Sequence, residues 1–96
     1  MNAQDQMFEL IDVVRVEPRG EFRLAIAFSD GTEGECDLSD VVAEGGEMVE
    51  PLRDATFFIR VFLDDGILTW PNGFDLDSIA LHMEMKKRGL LRRSAA

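Results

Sequence analysis

The chain has 96 residues, 46% of them hydrophobic and 30% charged, which is the composition of one small globular domain and not of a disordered segment. Its formal net charge is −9, it has a single cysteine, and it contains no apolar run near the roughly 18 residues of a membrane span. These properties argue against a membrane protein and against general nucleic-acid binding, and they predict a cytoplasmic protein without disulfides.

The first half of the chain predicts a three-stranded antiparallel meander. Residues 1–10 are expected to form a flexible lead-in, and the β-branched segment 11–16 predicts the first strand. In residues 23–28, apolar side chains alternate with small or charged ones, which is typical of a strand with one buried face. Residues 29–32 predict a hairpin turn, and residues 33–38 return with acids on one face. The meander should therefore have one apolar face and one wet face.

Shorter elements are expected after the meander. A helical turn is predicted with Ser39 or Asp40 as its N-cap, and Asp54 is expected to cap a second short helix. A second hairpin is predicted over residues 61–70, because apolar strands flank a turn signal at residues 64–66. The predicted fold class is α+β: one small domain in which the meander and the second hairpin are packed by a short helix and a C-terminal helix.

The C-terminal helix is predicted from Ser78 to Arg88, with Asp77 or Ser78 as its N-cap and Gly89 at its left-handed end. Apolar residues three and four positions apart predict its buried stripe, which comprises Leu76, Ile79, Ala80 and Met83. Apolar residues near the end of this helix are candidates for contact with a protein partner. This predicted partner-binding surface comprises Met83, Met85, Leu90 and Leu91.

Charge is distributed unevenly along the chain. Residues 1–81 carry 18 acids and 5 bases, a sum of −13, whereas residues 82–96 carry 1 acid and 5 bases, a sum of +4. We assign residues 11–89 to the domain and residues 90–96 to a basic C-terminal tail. The five bases are the candidate nucleic-acid contacts of an alternative interpretation, and they comprise Lys86, Lys87, Arg88, Arg92 and Arg93. The simpler interpretation is that bases favour the end of a helix.

The segment TWPNGFDLD, residues 69–77, contains the only Trp and two closely spaced carboxylates. The spacing of Asp75 and Asp77 is similar to the start of a calcium loop, but the later ligand positions of that loop do not match. A turn explains the segment better, because Pro and Asn-Gly favour a chain reversal. Trp70 is then expected to close the core, and the alternative is an aromatic hot spot for a partner.

No catalytic, cofactor or metal site is predicted. A zinc site needs three or four ligands at recognisable spacing, and the only histidine and the only cysteine, His82 and Cys36, do not supply them. Cys36 is expected on the apolar face of its strand, where a thiol is usually inert packing. A ligand-binding or catalytic domain stays open as a third alternative, which a deep pocket near Asp64, Asp75 or His82 would favour.

Several motifs that follow one another along the chain resemble the bacterial domain-of-unknown-function 2442 family. The resemblance covers roughly residues 11–80 and rests most on the Pro-Leu-Arg-Asp and Trp-Pro-Asn-Gly-x-Asp motifs, with support from four others. In order, the motifs are Val13–Pro18, Phe28–Gly31, Cys36–Leu38, Pro51–Asp54, Phe57-Phe58 and Trp70–Leu76. The resemblance implies a small α+β domain and no established activity. It also implies relatives fused to a helix-turn-helix domain and relatives in toxin–antitoxin-like gene pairs.

The leading functional hypothesis is a non-enzymatic protein-interaction module, an antitoxin-like or regulatory partner of another small bacterial protein. An acidic body would speed its encounter with a basic partner. The alternative is a DNA-associated transcriptional regulator that acts through the basic C-terminal tail, alone or in a complex. Self-association through the C-terminal helix is a further open alternative.

Overall fold

A computed structural model describes residues 10–94, which form an α+β fold of two antiparallel sheets, three α-helices and one 3-10 helix. The fold class expected from the sequence is therefore confirmed. The lead-in predicted over residues 1–10 lies almost entirely outside the described residues. In chain order the elements are β1 (Val13–Pro18), β2 (Arg23–Phe28), β3 (Thr32–Asp37), α1 (Ser39–Glu44), the 3-10 helix (Glu50–Arg53), α2 (Ala55–Phe58), β4 (Phe62–Asp64), β5 (Ile67–Thr69), β6 (Asp75–Leu76), α3 (Ser78–Lys87) and β7 (Arg92–Arg93).

The predicted meander is present as β1, β2 and β3, and β7 adds a fourth strand beside β3. On its wet face, one row of the sheet runs from Arg15 through Ala27 and Glu33 to Arg92. Ala27 is small enough for Arg15 to reach across it, and both arginines pair with Glu33, at 3.3 and 3.0 Å. The charged side chains of this row lie on the solvent-exposed face of the sheet, and the opposite face packs into the core.

The core lies between the apolar face of this sheet and the second half of the chain. Trp70 is fully buried, and its indole N–H donates to the backbone carbonyl of Phe58 at 2.9 Å. The rings of Phe58 and Phe74 flank the indole, with centroids 5.8 and 5.7 Å away. Burying one aromatic ring of this kind contributes roughly 4–6 kcal/mol of transfer free energy at ~25 cal/mol per Å². The prediction that Trp70 closes the core is confirmed.

The second sheet has the order β4-β5-β6, so the predicted hairpin gains a short third strand. Its turn has positive φ at Asp65 (55°) and Gly66 (83°). The carbonyl oxygen of Gly66 accepts from the amide of Val13 at 2.9 Å and from the hydroxyl of Ser78 at 2.6 Å. This one carbonyl therefore joins β1, the second sheet and α3.

Two of the three predicted helix caps are confirmed. The carboxylate of Asp54 accepts from the Thr56 amide at 2.9 Å, and that of Asp77 accepts from the Ala80 amide at 3.0 Å. The expected cap of α1 by Ser39 or Asp40 is wrong. Asp37 instead accepts from the amide and the hydroxyl of Ser39, because β3 runs directly into the helix and leaves its last carboxylate above the first turn.

The buried stripe predicted for the C-terminal helix is wrong. Ile79 and Met83 are 39% and 65% exposed, whereas Ser78 and Met85 are buried and Leu81 is half-buried. The face of α3 with Leu81 and Met85 is turned inward, and on the same helix Ser78 donates to the carbonyl of Gly66 at 2.6 Å. A polar residue and two apolar residues together thus define the buried side of the helix.

The described part of the predicted C-terminal tail, residues 90–94, is docked on the sheet. Its strand β7 pairs with Thr32 and Glu33, and the amide of Ser94 donates to the carbonyl of Gly31 at 2.8 Å. The chain crosses β3 at Gly34, where a Cβ would overlap the carbonyl oxygen of Leu90. Glycine at position 34 is therefore a condition for this docking.

Candidate functional site

A groove of about 380 Å³ lies between α1 and α3, and we call it the docking groove. It begins near β6 and ends where the chain leaves α3. Its floor is apolar and consists of Leu38, Val41, Leu76, Leu81, Met85 and Leu90. Within this floor Leu38 and Met85 are buried, Val41, Leu76 and Leu81 are half-buried, and Leu90 is 40% exposed.

The rim of the docking groove is acidic. Asp37 and Asp40 lie on the wall formed by the end of β3 and α1, and Asp77 and Glu84 lie on the wall formed by α3. Hydrogen bonds from the hydroxyl and the amide of Ser39 lower the pKa of Asp37, so this carboxylate stays charged well below neutral pH. The one base on the rim is Arg88, whose Nε lies 2.7 Å from the carboxylate of Glu84.

The docking groove therefore combines an apolar floor with a mainly acidic rim. Carboxylates around an apolar strip repel acidic partners and attract basic ones. An apolar groove between two helices accepts an amphipathic helix, whose side chains one turn apart fill it.

The four residues of the predicted partner-binding surface do not lie together. Leu90 lines the docking groove, but Met83 points away from it on the outer face of α3, and Leu91 packs against the core. Met85 is only 1% exposed, so the expectation that it lies off the buried stripe and on a contact surface is wrong. It supports the groove floor from below.

Sequence reasoning missed the wall formed by α1, because no pattern in the chain shows that Asp40 and Val41 face Leu81. A signal for Leu81 does exist. Asp77, Leu81 and Met85 are spaced four apart, which places them on one face of α3, and the capping role of Asp77 fixes where that face begins.

The five bases of the C-terminal region are largely engaged with the protein itself. Arg88 pairs with Glu84, and Arg92 pairs with Glu33. Arg93 donates to the backbone carbonyl of Asp30 at 3.0 Å. Lys86 and Lys87 form no ion pair within residues 10–94. The bases around β7 thus form part of a folded surface and not an extended arm.

The only histidine and the only cysteine lie in different places. Nε2 of His82 lies 2.9 Å from Oδ2 of Asp30, and its ring meets Phe28 edge-on at 4.9 Å. Cys36 is buried at the back of the docking groove, and this burial raises the pKa of its thiol to about 11. A thiol with that pKa is protonated at neutral pH and is a weak nucleophile.

The two aspartates of the TWPNGFDLD segment have structural positions. Asp75 belongs to β6 and pairs with Thr69, and Asp77 caps α3. Within residues 10–94, no three His, Cys, Asp or Glu side chains come together as a metal-ion site would require.

The fold and groove define a small α+β domain with an open, acid-rimmed surface. The chain belongs to the family described as protein of unknown function (DUF2442), which matches residues 13–86. The resemblance seen in the sequence motifs is therefore confirmed. No curated protein matches the chain significantly, and neither does any solved structure. In the described part of the chain, none of the helices has the length and apolarity needed to cross a bilayer.

Proposed function

We propose that the protein is a non-enzymatic interaction module that binds a basic amphipathic segment of another protein in the docking groove. The observation that carries this proposal is the combination of an apolar floor with four carboxylates and a single, already paired guanidinium on its rim. In this proposal our protein is the antitoxin-like or regulatory component, and the basic protein is its target. The net charge of −9 on our protein would raise the association rate with a basic partner above that with a neutral one.

The floor supports a partner because its residues are held in place from below. Leu81 and Val41 rest on the buried cluster that includes Leu38 and Met85. A partner side chain inserted between α1 and α3 would therefore meet a fixed surface and lose little free energy in ordering it. The rim acids would then pair with lysines or arginines that flank the inserted residues.

The DNA-associated alternative has weaker support. Arg88 and Arg92 are in ion pairs with glutamates, which would have to be broken before either could neutralise a phosphate. The chain as a whole has a net charge of −9, and that repels a long polyanion such as DNA.

Fluorescence anisotropy with labelled model peptides tests the proposal. Two helical peptides share the same leucine face, and one carries lysines where the other carries glutamates. We expect the lysine peptide to bind, with an affinity that falls as salt rises, and the glutamate peptide to fail.

Charge reversal on the rim locates the binding surface. Asp40→Lys should weaken the lysine peptide by about tenfold, as the loss of one charge pair predicts. Glu47→Lys is the matched control, because Glu47 is exposed and lies outside the groove. Equal binding of both peptides, or equal losses in both variants, would contradict the proposal.

A further inference from the structure

A second cleft, on the opposite side of α3 from the docking groove, collects bases. It has a volume of about 330 Å³, and we call it the basic cleft. His82 and Lys86 line it from α3, Asp30 from the β2–β3 turn, Thr32 from the start of β3, and Arg92 and Arg93 from β7. The histidine and the three bases come from the last part of the chain, and they meet Asp30, which precedes Arg93 by 63 residues.

Two of the three bases in this cleft lack a carboxylate partner among the described residues, although the chain has 19 acids and only 10 bases. Six of the ten bases pair with a carboxylate in the described structure, all of them arginines. Lys86 and Arg93 have no carboxylate partner within residues 10–94, and both line the same cleft. Although the chain has more acids than bases, no carboxylate of residues 10–94 forms an ion pair with Lys86 or Arg93.

The one carboxylate in the cleft is already compensated. Oδ1 of Asp30 accepts from the amide and the hydroxyl of Thr32, at 3.0 and 2.7 Å, and Oδ2 lies 2.9 Å from His82. Burial disfavours the charged form of Asp30, but these hydrogen bonds and His82 outweigh it and lower the pKa of the carboxyl below its ordinary value. Its carboxylate oxygens hold the turn and the histidine, so Asp30 positions the site and its carboxylate forms no ion pair with Lys86 or Arg93 within residues 10–94.

We propose that the basic cleft binds a phosphate group, either free or as the ester of a small molecule. Arg93 uses Nη1 to hold the carbonyl of Asp30, which leaves its other N–H donors for an oxyanion. Lys86 supplies a second, mobile cation from α3. A planar guanidinium with a nearby ammonium is the pair that suits phosphate oxygens, and the volume of the cleft is near the lower end of the range for small-ligand sites.

His82 is a built-in reporter for this proposal, since it is the only histidine and it lines the cleft. Its imidazole proton resonances are followed by NMR while inorganic phosphate or glycerol 3-phosphate is added, with sodium chloride at matched ionic strength as the control. We expect a saturable shift with the phosphates and none with chloride. A tighter response to glycerol 3-phosphate would identify an ester, and equal responses would identify the free anion.

Two variants locate the ligand. Lys86→Ala should weaken phosphate binding by about tenfold or more, the loss expected for a hydrogen bond to a charged group. The strand pairing that holds β7 is with Thr32 and Glu33 and does not involve Lys86, so this variant tests the site even if Arg93→Ala loosens the strand. Lys87→Ala is the control, since Lys87 lies outside the cleft. A linear, chloride-like shift, or full binding in Lys86→Ala, would overturn the proposal.

Discussion

Apolar side chains are closed off from solvent around Trp70 but stay partly exposed in the docking groove. Around Trp70, the indole is fully buried, its N–H has a partner, and two phenylalanine rings close the sides. In the docking groove, leucine and valine side chains stay partly exposed beneath a ring of carboxylates. A residue that is conspicuous in the sequence can thus be wholly structural, whereas inconspicuous leucines, valines and aspartates from separate segments form the exposed apolar groove to which we assign partner binding.

The largest effect should come from breaking the closed region. Trp70→Ala removes a fully buried ring and the shorter of the two hydrogen bonds to the Phe58 carbonyl, so we expect it to lower the free energy of unfolding by about 3–5 kcal/mol. Met83→Ala, at a side chain that is 65% exposed, should change it by about 0.5 kcal/mol or less. Urea denaturation followed by circular dichroism measures both. Similar effects in the two variants would show that Trp70 is not a core residue.

A smaller loss is expected at the crossing of β3 and the C-terminal segment. Gly34→Ala would place a methyl group against the Leu90 carbonyl, which should cost about 1–3 kcal/mol. Hydrogen exchange should rise in residues 90–94, while the emission maximum of Trp70 stays unchanged because the indole lies in another part of the core. Unchanged exchange in those residues would mean that the segment is not held at Gly34.

Acid should weaken the protein through its hydrogen-bonded aspartates. The pKa values of Asp30, Asp37 and Asp54 are lowered in the folded state. Their contribution to stability is therefore complete above the unfolded value of about 3.9 and is lost as pH falls through the folded values. The midpoint of urea unfolding should be measured from about pH 2 to about pH 6. We expect it to fall most steeply below about pH 4, where these carboxylates become protonated. Asp54→Asn should flatten part of that fall, and an unchanged profile would contradict the role of its hydrogen bonds with Thr56.

The smallest change in stability should come from the one base of the docking groove. Arg88→Ala removes an exposed pair with Glu84 and should alter the free energy of unfolding by about 0.5 kcal/mol or less. The same variant frees a rim carboxylate, so binding of the lysine peptide should strengthen by a few-fold, as one extra rim charge predicts. Weaker binding in this variant would show that Arg88 contacts the partner itself.

Local patterns predicted much of the fold, because the features involved are set by near neighbours. Alternation in residues 23–28 identified the buried face of β2, and Asp54 and Asp77 were identified as caps from their positions alone. The rotation of α3 escaped prediction, since it is set by tertiary contacts: Met85 is buried in the core, and Ser78 donates to the distant Gly66. β7 escaped prediction for a similar reason: two adjacent arginines resemble a solvated tail until Glu33 and Gly34 are seen beside them.

The candidate site was less accessible to sequence reasoning than the fold. Leu90 was expected at a contact surface and lines the docking groove, but the opposite wall comes from α1, more than 35 residues earlier in the chain. Only the packing of α1 against α3 brings Val41 and Asp40 opposite Leu81. The basic cleft has the same origin, since Lys86 and Arg93 meet through the turn that Asp30 organises.

The central claim is that the docking groove is open to a partner and the Trp70 region is closed. A titration of the nitrogen-15-labelled protein with the lysine peptide, followed by two-dimensional nitrogen–proton NMR, tests this claim most directly. The only Trp gives a single indole N–H signal, which reports on the closed region, and the backbone amides report on the groove. We predict shifts for Val41, Leu81 and Leu90 and an unmoved indole signal. A moving indole signal, with the groove amides left in place, would contradict the account.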